Sequence, residues 1–238
     1  MDTNKHGESI GGEQFMAGLT RQGFHQSLEY LQQEILRMGS IVEQVIAKAV
    51  DSLAKLDAKI ADEVIEGDKV VDDLELQIEN QCLKLIATQQ PMAKDLRKIA
   101  AGFKIITDLE RIADYSVDIA RVAKRIIETG QPLIKPLIDI PRMAELAQNM
   151  VKQSLDAYVH GDVDLAYTVA REDDQVDHLH NQIFRELLVF MMEDPKTIGQ
   201  ATYLLFVSRY LERIADHATN IAEEAIYLET GERKELND

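Results

Sequence analysis

Leu109-Glu110-Arg111-Ile112-Ala113-Asp114 recurs, residue for residue, as Leu211-Glu212-Arg213-Ile214-Ala215-Asp216. The two copies lie 102 residues apart, from Glu110 to Glu212. A second pair of acids precedes each copy, Asp68 and Asp72 in the first half, Asp173 and Asp177 in the second. Acids four apart share one face of a helix. On a wheel of ~100° per residue, Asp114 falls about 40° from Glu110 and Phe103 about 20°, with Asp118 at the edge, about 80° away. The acids therefore share a face with large apolar residues. Asp68, Asp72, Glu75 and Glu79 follow four-three-four spacing and form a matching stripe, bordered by Val64, Val71, Cys82 and Ile86.

The helical reading extends outward from this repeat. The ladder Phe24, Leu28, Leu31, Ile35, Met38, Val42, Val45 and Ala49 alternates steps of four and three, as on one long helix. Gly39 lies off that seam and costs about 1 kcal/mol relative to Ala. Asp57 is placed to cap a second helix running to about Gln89. Pro91 suits the first turn of a third helix that ends at Gly130. Pro132 and Pro136 mark a linker. A fourth helix is expected from about Pro141 to Gly161, a fifth from Asp162 to about Met192, and a sixth from Asp194-Pro195 to near Gly231. Sustained β alternation is absent. The expected fold is all-α: two tandem three-helix bundles over 20–130 and 137–231, a flexible arm over 1–19 and a tail over 232–238.

Bulk properties narrow the function. The chain has 238 residues, enough for a large core, and a net charge of −16. Such charge repels nucleic acid and anionic lipid, and no dense Lys/Arg run offsets it. The single cysteine, Cys82, excludes an intrachain disulfide and reads as a buried thiol. Neither a secretory leader nor an 18-residue apolar run is present, so a cytoplasmic location without membrane insertion is expected. Gly7-Glu8-Ser9-Ile10-Gly11 matches the nucleophile-elbow pattern, but lacks the preceding strand such an elbow requires.

Facing acidic stripes demand compensation. Two carboxylates ~5 Å apart repel by about 3 kcal/mol at an effective dielectric of about 20. They must protonate, recruit bases or bind cations. An oxygen-rich donor set suits magnesium, manganese, calcium or iron, with zinc as a further possibility. The candidate ligands are Asp68, Asp72, Glu110, Asp114 and Asp118, then Asp173, Asp177, Glu212 and Asp216. Asn220 replaces Asp118 in the second set, and His180 and Phe184 replace Glu75 and Glu79, so weaker metal occupancy is expected there. His178 and His217 lie near that set. A carboxylate-bridged metalloenzyme and a metal-free helical scaffold stay open as alternatives.

Four segments carry a family resemblance: Ile65–Lys69; Gln90-Pro91 with Asp95-Leu96-Arg97; Lys104–Asp114; and Tyr167–Asp177 leading through Met191–Asp194 into the second copy. In that order, from about residue 24 to about 230, the chain resembles the PhoU family of phosphate-signalling regulators. Ala113 and Ala215 stand where that family often has Gly. The resemblance implies two three-helix bundles and multinuclear metal clusters held by Glu110 and Asp114 and by Glu212 and Asp216, with Asp68, Asp72, Asp173 and Asp177 facing them. It further implies a non-enzymatic adaptor that restrains phosphate uptake and the phosphate-starvation regulon. The implied partners are the ATPase subunit of the phosphate ABC transporter and the phosphate-sensing histidine kinase. The implied location is peripheral to the inner membrane, through those partners. Long exposed helical faces suit a homodimer.

Overall fold

The computed structural model describes residues 8–236, with side chains from residue 22. Among the described residues the chain forms six α-helices and no strand: α1 Glu8–Lys55, α2 Ala58–Gln89, α3 Ala93–Glu128, α4 Asp139–His160, α5 Val163–Glu193 and α6 Ile198–Thr230. Helix α1 begins at Glu8, upstream of the apolar ladder. Once a packed segment has nucleated a helix, each further residue adds a hydrogen bond at little cost. Residues 1–7 of the expected arm lie outside the described residues. The ladder itself is buried from Phe24 to Val42, but then slips: Ile46 is fully buried while Val45 is half-buried. A straight helix drifts against a strict heptad, so over this length the apolar face moves round by one position.

The two halves use the same turn between their first two helices. Leu56 N–H donates to the Leu53 carbonyl at 3.3 Å and Asp57 N–H to that of Ser52 at 2.9 Å, which is the paired bonding of a Schellman motif. Asp162 N–H repeats the longer bond to Ala157 at 3.0 Å. The left-handed residue is Gly161 in the second copy and Leu56 in the first, at φ 65° and 52°. Asp57 and Asp162 then cap α2 and α5 with their side chains. The next junction differs between halves. Pro195 opens a 3₁₀ turn that leads into α6, as expected, whereas Pro91 lies two residues before α3. Gln90, before that proline, is disfavoured in the right-handed helical region and closes α2 in the left-handed one.

Helices α1–α3 and α4–α6 each form a bundle, and the bundles share one continuous core. The contact between them runs along α3 against α6 and α1 against α4. Along the first of these, Asp108 Oδ1 accepts from His217 Nδ1 at 2.8 Å and from Asn220 Nδ2 at 3.2 Å. The Tyr115 and Tyr210 rings stack with centroids 6.0 Å apart. The repeat offset carries Asp108 onto Tyr210 and Tyr115 onto His217. A polar pair and an aromatic pair thus occupy equivalent positions across an approximate two-fold axis. The linker is pinned to α6, where Gln200 Nε2 donates to the Pro132 carbonyl at 3.1 Å. Residues 232–236, expected as a plain tail, dock on the second bundle. Arg233 pairs with Glu224 at 3.0 Å and Leu236 N–H donates to Glu223 at 2.8 Å.

Gly39 is buried, because α1 meets α4 there. A Cβ at this position would stand 2.2 Å from Leu155 Cδ1. Helix propensity alone favours Gly39→Ala by about 1 kcal/mol, whereas overpacking a buried contact costs about 1–3 kcal/mol. Urea denaturation should show Gly39→Ala to be less stable than the parent. The Gly39→Ala/Leu155→Ala pair should lose less than the sum of the single losses. Additivity of the two substitutions would refute this close approach.

Candidate metal centres

Helix α2 lays Asp68, Asp72, Glu75 and Glu79 along α3, which presents Glu110, Asp114 and Asp118. The alignment follows from apolar neighbours: Val64, Val71, Leu74 and Ile78 on α2 and Ile106, Leu109, Ala113 and Val117 on α3 are all buried in the shared core. The expected facing of the two stripes is realised, since charges on one helix act on acids of the other. Burial raises Asp68 above its usual range, and the nearby Asp72, Asp114 and Asp118 raise it further. Burial pushes Glu110 up to about 7; Asp114, Glu75 and Asp72 add to the rise and Arg111 opposes it. Glu75 is raised by burial and lowered in part by a hydrogen bond from Thr107 Oγ1 at 3.4 Å.

The second set is assembled in the same way on α5 and α6. Asp173 is pushed up to about 7, first by burial and then by Asp216, Asp177 and Glu212. Glu212 and Asp216 are raised by burial, with Arg209 and Arg213 opposing. His180 occupies the position of Glu75 and faces Ser208 Oγ at 3.1 Å, as Glu75 faces Thr107. Burial lowers its affinity for a proton. The other histidines near this set are engaged elsewhere. His178 turns back to the Asp174 carbonyl of its own helix, and His217 reaches across to Asp108. Asn220 also turns to Asp108, so nothing replaces Asp118 in the second set. Asp118 itself lies between the first cluster and the α3–α6 contact, close enough to act on both Asp68 and Tyr210.

Two observations bear on what these clusters hold. Asp68 Oδ1, Asp173 Oδ1 and Glu212 Oε2 are buried without any hydrogen-bond partner. Buried carboxylate oxygens left unsatisfied are costly, and an all-oxygen donor set is the kind hard cations take. Arginines engage other oxygens of the same clusters. Arg111 lies 3.5 Å from Glu110 and 3.3 Å from Asp114, Arg121 lies 2.9 Å from Asp118, and Arg213 lies 3.4 Å from Asp216. Arg209 pairs with Glu212. With those pairs in place, no three Asp, Glu, His or Cys side chains among the described residues converge on one point. The Arg121 pair and the hydroxyl contacts of Glu75 and His180 were not foreseen from sequence. Arg121 follows Asp118 at i+3, a spacing that signals the pair.

The fold and these clusters define a duplicated all-α protein whose bundles each face acids across two helices. Its sequence matches the PhoU domain model twice, over residues 35–123 and 140–225, one copy within each bundle. A phosphate-specific transport system accessory protein PhoU homolog of Clostridium acetobutylicum is 46% identical, covering 92% of this chain and 100% of that protein. The homolog of the same description from Aquifex aeolicus is 42% identical, over 86% and 92% of the two chains. The crystal structure of PhoU from Pseudomonas aeruginosa superposes with a TM-score of 0.84 at 38% identity, over 88% of this chain and 100% of that one. That of the phosphate transport system regulatory protein PhoU from Streptococcus pneumoniae gives 0.82 at 30% identity, over 89% and 99%. The chain belongs to the PhoU family. Its relatives are described as accessory or regulatory proteins, not as enzymes.

The raised carboxylates set the pH response of the metal-free protein. Glu110 and Asp173 titrate near 7 when folded, far above the usual range of an unfolded chain. Their contribution to stability is complete below about pH 4 and is lost as pH rises through about 7. In chelator, the melting temperature should therefore rise as the buffer is taken from about pH 8 to about pH 5.5. Glu110→Gln with Asp173→Asn should flatten that slope. A slope of the opposite sign would refute the assignment.

Proposed function

We propose that this protein is a metal-binding adaptor that restrains phosphate uptake and the phosphate-starvation response. The observation that carries the metal reading is the set of buried, unpartnered oxygens on Asp68, Asp173 and Glu212. Asp68, Asp72, Glu110, Asp114 and Asp118 would hold one centre; Asp173, Asp177, Glu212 and Asp216 would hold the other. Iron, manganese, magnesium or zinc ions would neutralise each cluster and hold its two helices together. The family supports the adaptor role, its relatives being described as accessory or regulatory proteins of phosphate transport. Its partners would be the ATPase subunit of the phosphate ABC transporter and the phosphate-sensing histidine kinase, engaged by a homodimer on the cytoplasmic side of the inner membrane. No helix of the described residues is long and apolar enough to cross a membrane, so contact with the transporter would be made through protein.

The arginine pairs favour a second reading, a scaffold in which the acids make only ion pairs. Metal content separates the two. Glu110→Ala/Asp114→Ala should lose the metal of the first centre while keeping that of the second, read by elemental mass spectrometry of the native-purified protein. Unchanged content would refute the site, and a metal-free parent unaffected by chelator would support the scaffold. The adaptor role is tested in the host. Deleting the gene should give constitutive alkaline phosphatase activity in high phosphate, restored to repression by the wild-type copy. Normal repression in the deletion strain would refute the role.

A further inference from the structure

The second acidic cluster continues one turn beyond its carboxylates. His180 follows Asp177 by three residues on α5, and Ser208 precedes Glu212 by four on α6, so both stand on the helical faces that carry the cluster. His180 is half-buried and reaches across to α6, where its Nδ1 lies 3.1 Å from Ser208 Oγ. Asp177 and Arg209, the partner of Glu212, are both near enough to act on the ring. The bonding of Ser208 decides which ring nitrogen is free. Its hydroxyl donates its single hydrogen to the Leu205 carbonyl at 2.9 Å, so it accepts from His180. The neutral ring therefore carries its hydrogen on Nδ1 and a lone pair on Nε2. A metal-ligating histidine donates its other N–H in this way, which fixes both tautomer and ring orientation. Of the three histidines near this cluster, only His180 bridges α5 to α6. His178 turns back to its own helix and His217 leans to Asp108 on α3.

We propose that His180 is a nitrogen ligand of the second metal centre, through Nε2, and that it biases this centre toward zinc and away from manganese. The inference rests on the metal reading of the clusters and separates the two centres by the ion each prefers. Imidazole suits zinc, whereas carboxylate and water suit magnesium and manganese. In the first cluster the same turn offers oxygen: Glu75 follows Asp72 by three residues and meets Thr107 Oγ1 at 3.4 Å. The exchange of Glu75 for His180 between the copies thus changes the kind of donor at that turn. The second centre also lacks a counterpart of Asp118, because Asn220 is turned to Asp108. With fewer oxygens and one nitrogen it matches the mixed ligand sets and low coordination number of zinc, while the first centre keeps the all-oxygen set of a harder ion.

Zinc and manganese titrations of the full chain, stripped with chelator, test this in the Glu110→Ala/Asp114→Ala background, which isolates the second centre. Adding His180→Ala should weaken zinc at least about tenfold and manganese less than about threefold. Adding His180→Glu should weaken zinc likewise and leave manganese binding at least as tight as in the parent background. Long-range proton–nitrogen NMR of the labelled full chain supplies a readout that needs no variant. Zinc should shift the Nε2 resonance of His180 and leave the hydrogen on Nδ1, whereas a histidine that only braces Ser208 would keep its Nε2 signal in place. Zinc bound at this centre with Nε2 unmoved, or with unchanged affinity in His180→Ala, would overturn the ligand assignment and leave the metal reading intact. A second centre that takes up neither ion would overturn both.

Discussion

Apolar packing forces carboxylates together in this molecule, and much of its electrostatics follows from that. Leu109, Ile112 and Ala113 are buried against the neighbouring helices, and they carry Glu110 and Asp114 with them. Burying one leucine or isoleucine contributes about 1.5–3 kcal/mol. A pair of like charges at close range costs about 3 kcal/mol at an effective dielectric of about 20. Two or three core side chains thus outweigh each repulsive pair, so the fold can hold its acids close without a ligand. The price appears as carboxylates driven toward protonation, most plainly Glu110 and Asp173.

Duplication repeats this constraint and leaves room for divergence around it. Residues that set helix alignment recur: the two capping aspartates, the paired acids and the buried Leu-x-x-Ile-Ala of each motif. Residues at the contact between bundles have changed roles. Asp108 and His217 make a polar pair where the equivalent Tyr210 and Tyr115 stack. Lys104 reaches the buried Glu224 at 2.8 Å, and the corresponding residues are Phe206 and Val122. Each exchange keeps α3 against α6 but replaces a charge contact by an apolar one. The second acidic cluster has lost carboxylates to Asn220, His180 and Phe184, yet it holds two of the three unpartnered oxygens. Fewer acids therefore do not make it the better satisfied of the two.

Patterns that act within one helix were legible in the sequence. The four-three ladder, the capping aspartates, Gly161, Gly231 and the helical faces of the acids all depend on neighbours a turn away. Apart from the facing of the acidic stripes, what depends on the partner helix was not. Gly39 reads as a local cost until α4 is placed over it, where Leu155 fills the missing side chain's space. Pro91 has the spacing of a first-turn proline, but its restriction of Gln90 ends α2 before α3 starts. The histidines near the second cluster share its helical address. Only the packing of α3 on α6 directs His217 to Asp108. The docking of Arg233 and Leu236 likewise needs Glu223 and Glu224 on a surface that the tail can reach.

The arginines decide how strongly the clusters resist a cation. Arg111, Arg121 and Arg213 pair with acids three residues away while about half exposed. Such pairs on one helix contribute about 0.3–0.5 kcal/mol each, because water screens them and long side chains lose freedom. A buried carboxylate oxygen without a partner costs about 1–3 kcal/mol. The arginines therefore lower the net charge of each cluster but leave its deepest oxygens on Asp68, Asp173 and Glu212 unsatisfied. A cation reaching those oxygens would relieve the larger cost and displace the smaller stabilisation. Helices α2 and α3, like α5 and α6, bring their carboxylates close enough to act on one another. On this balance the arginine pairs contribute less than the unsatisfied oxygens cost.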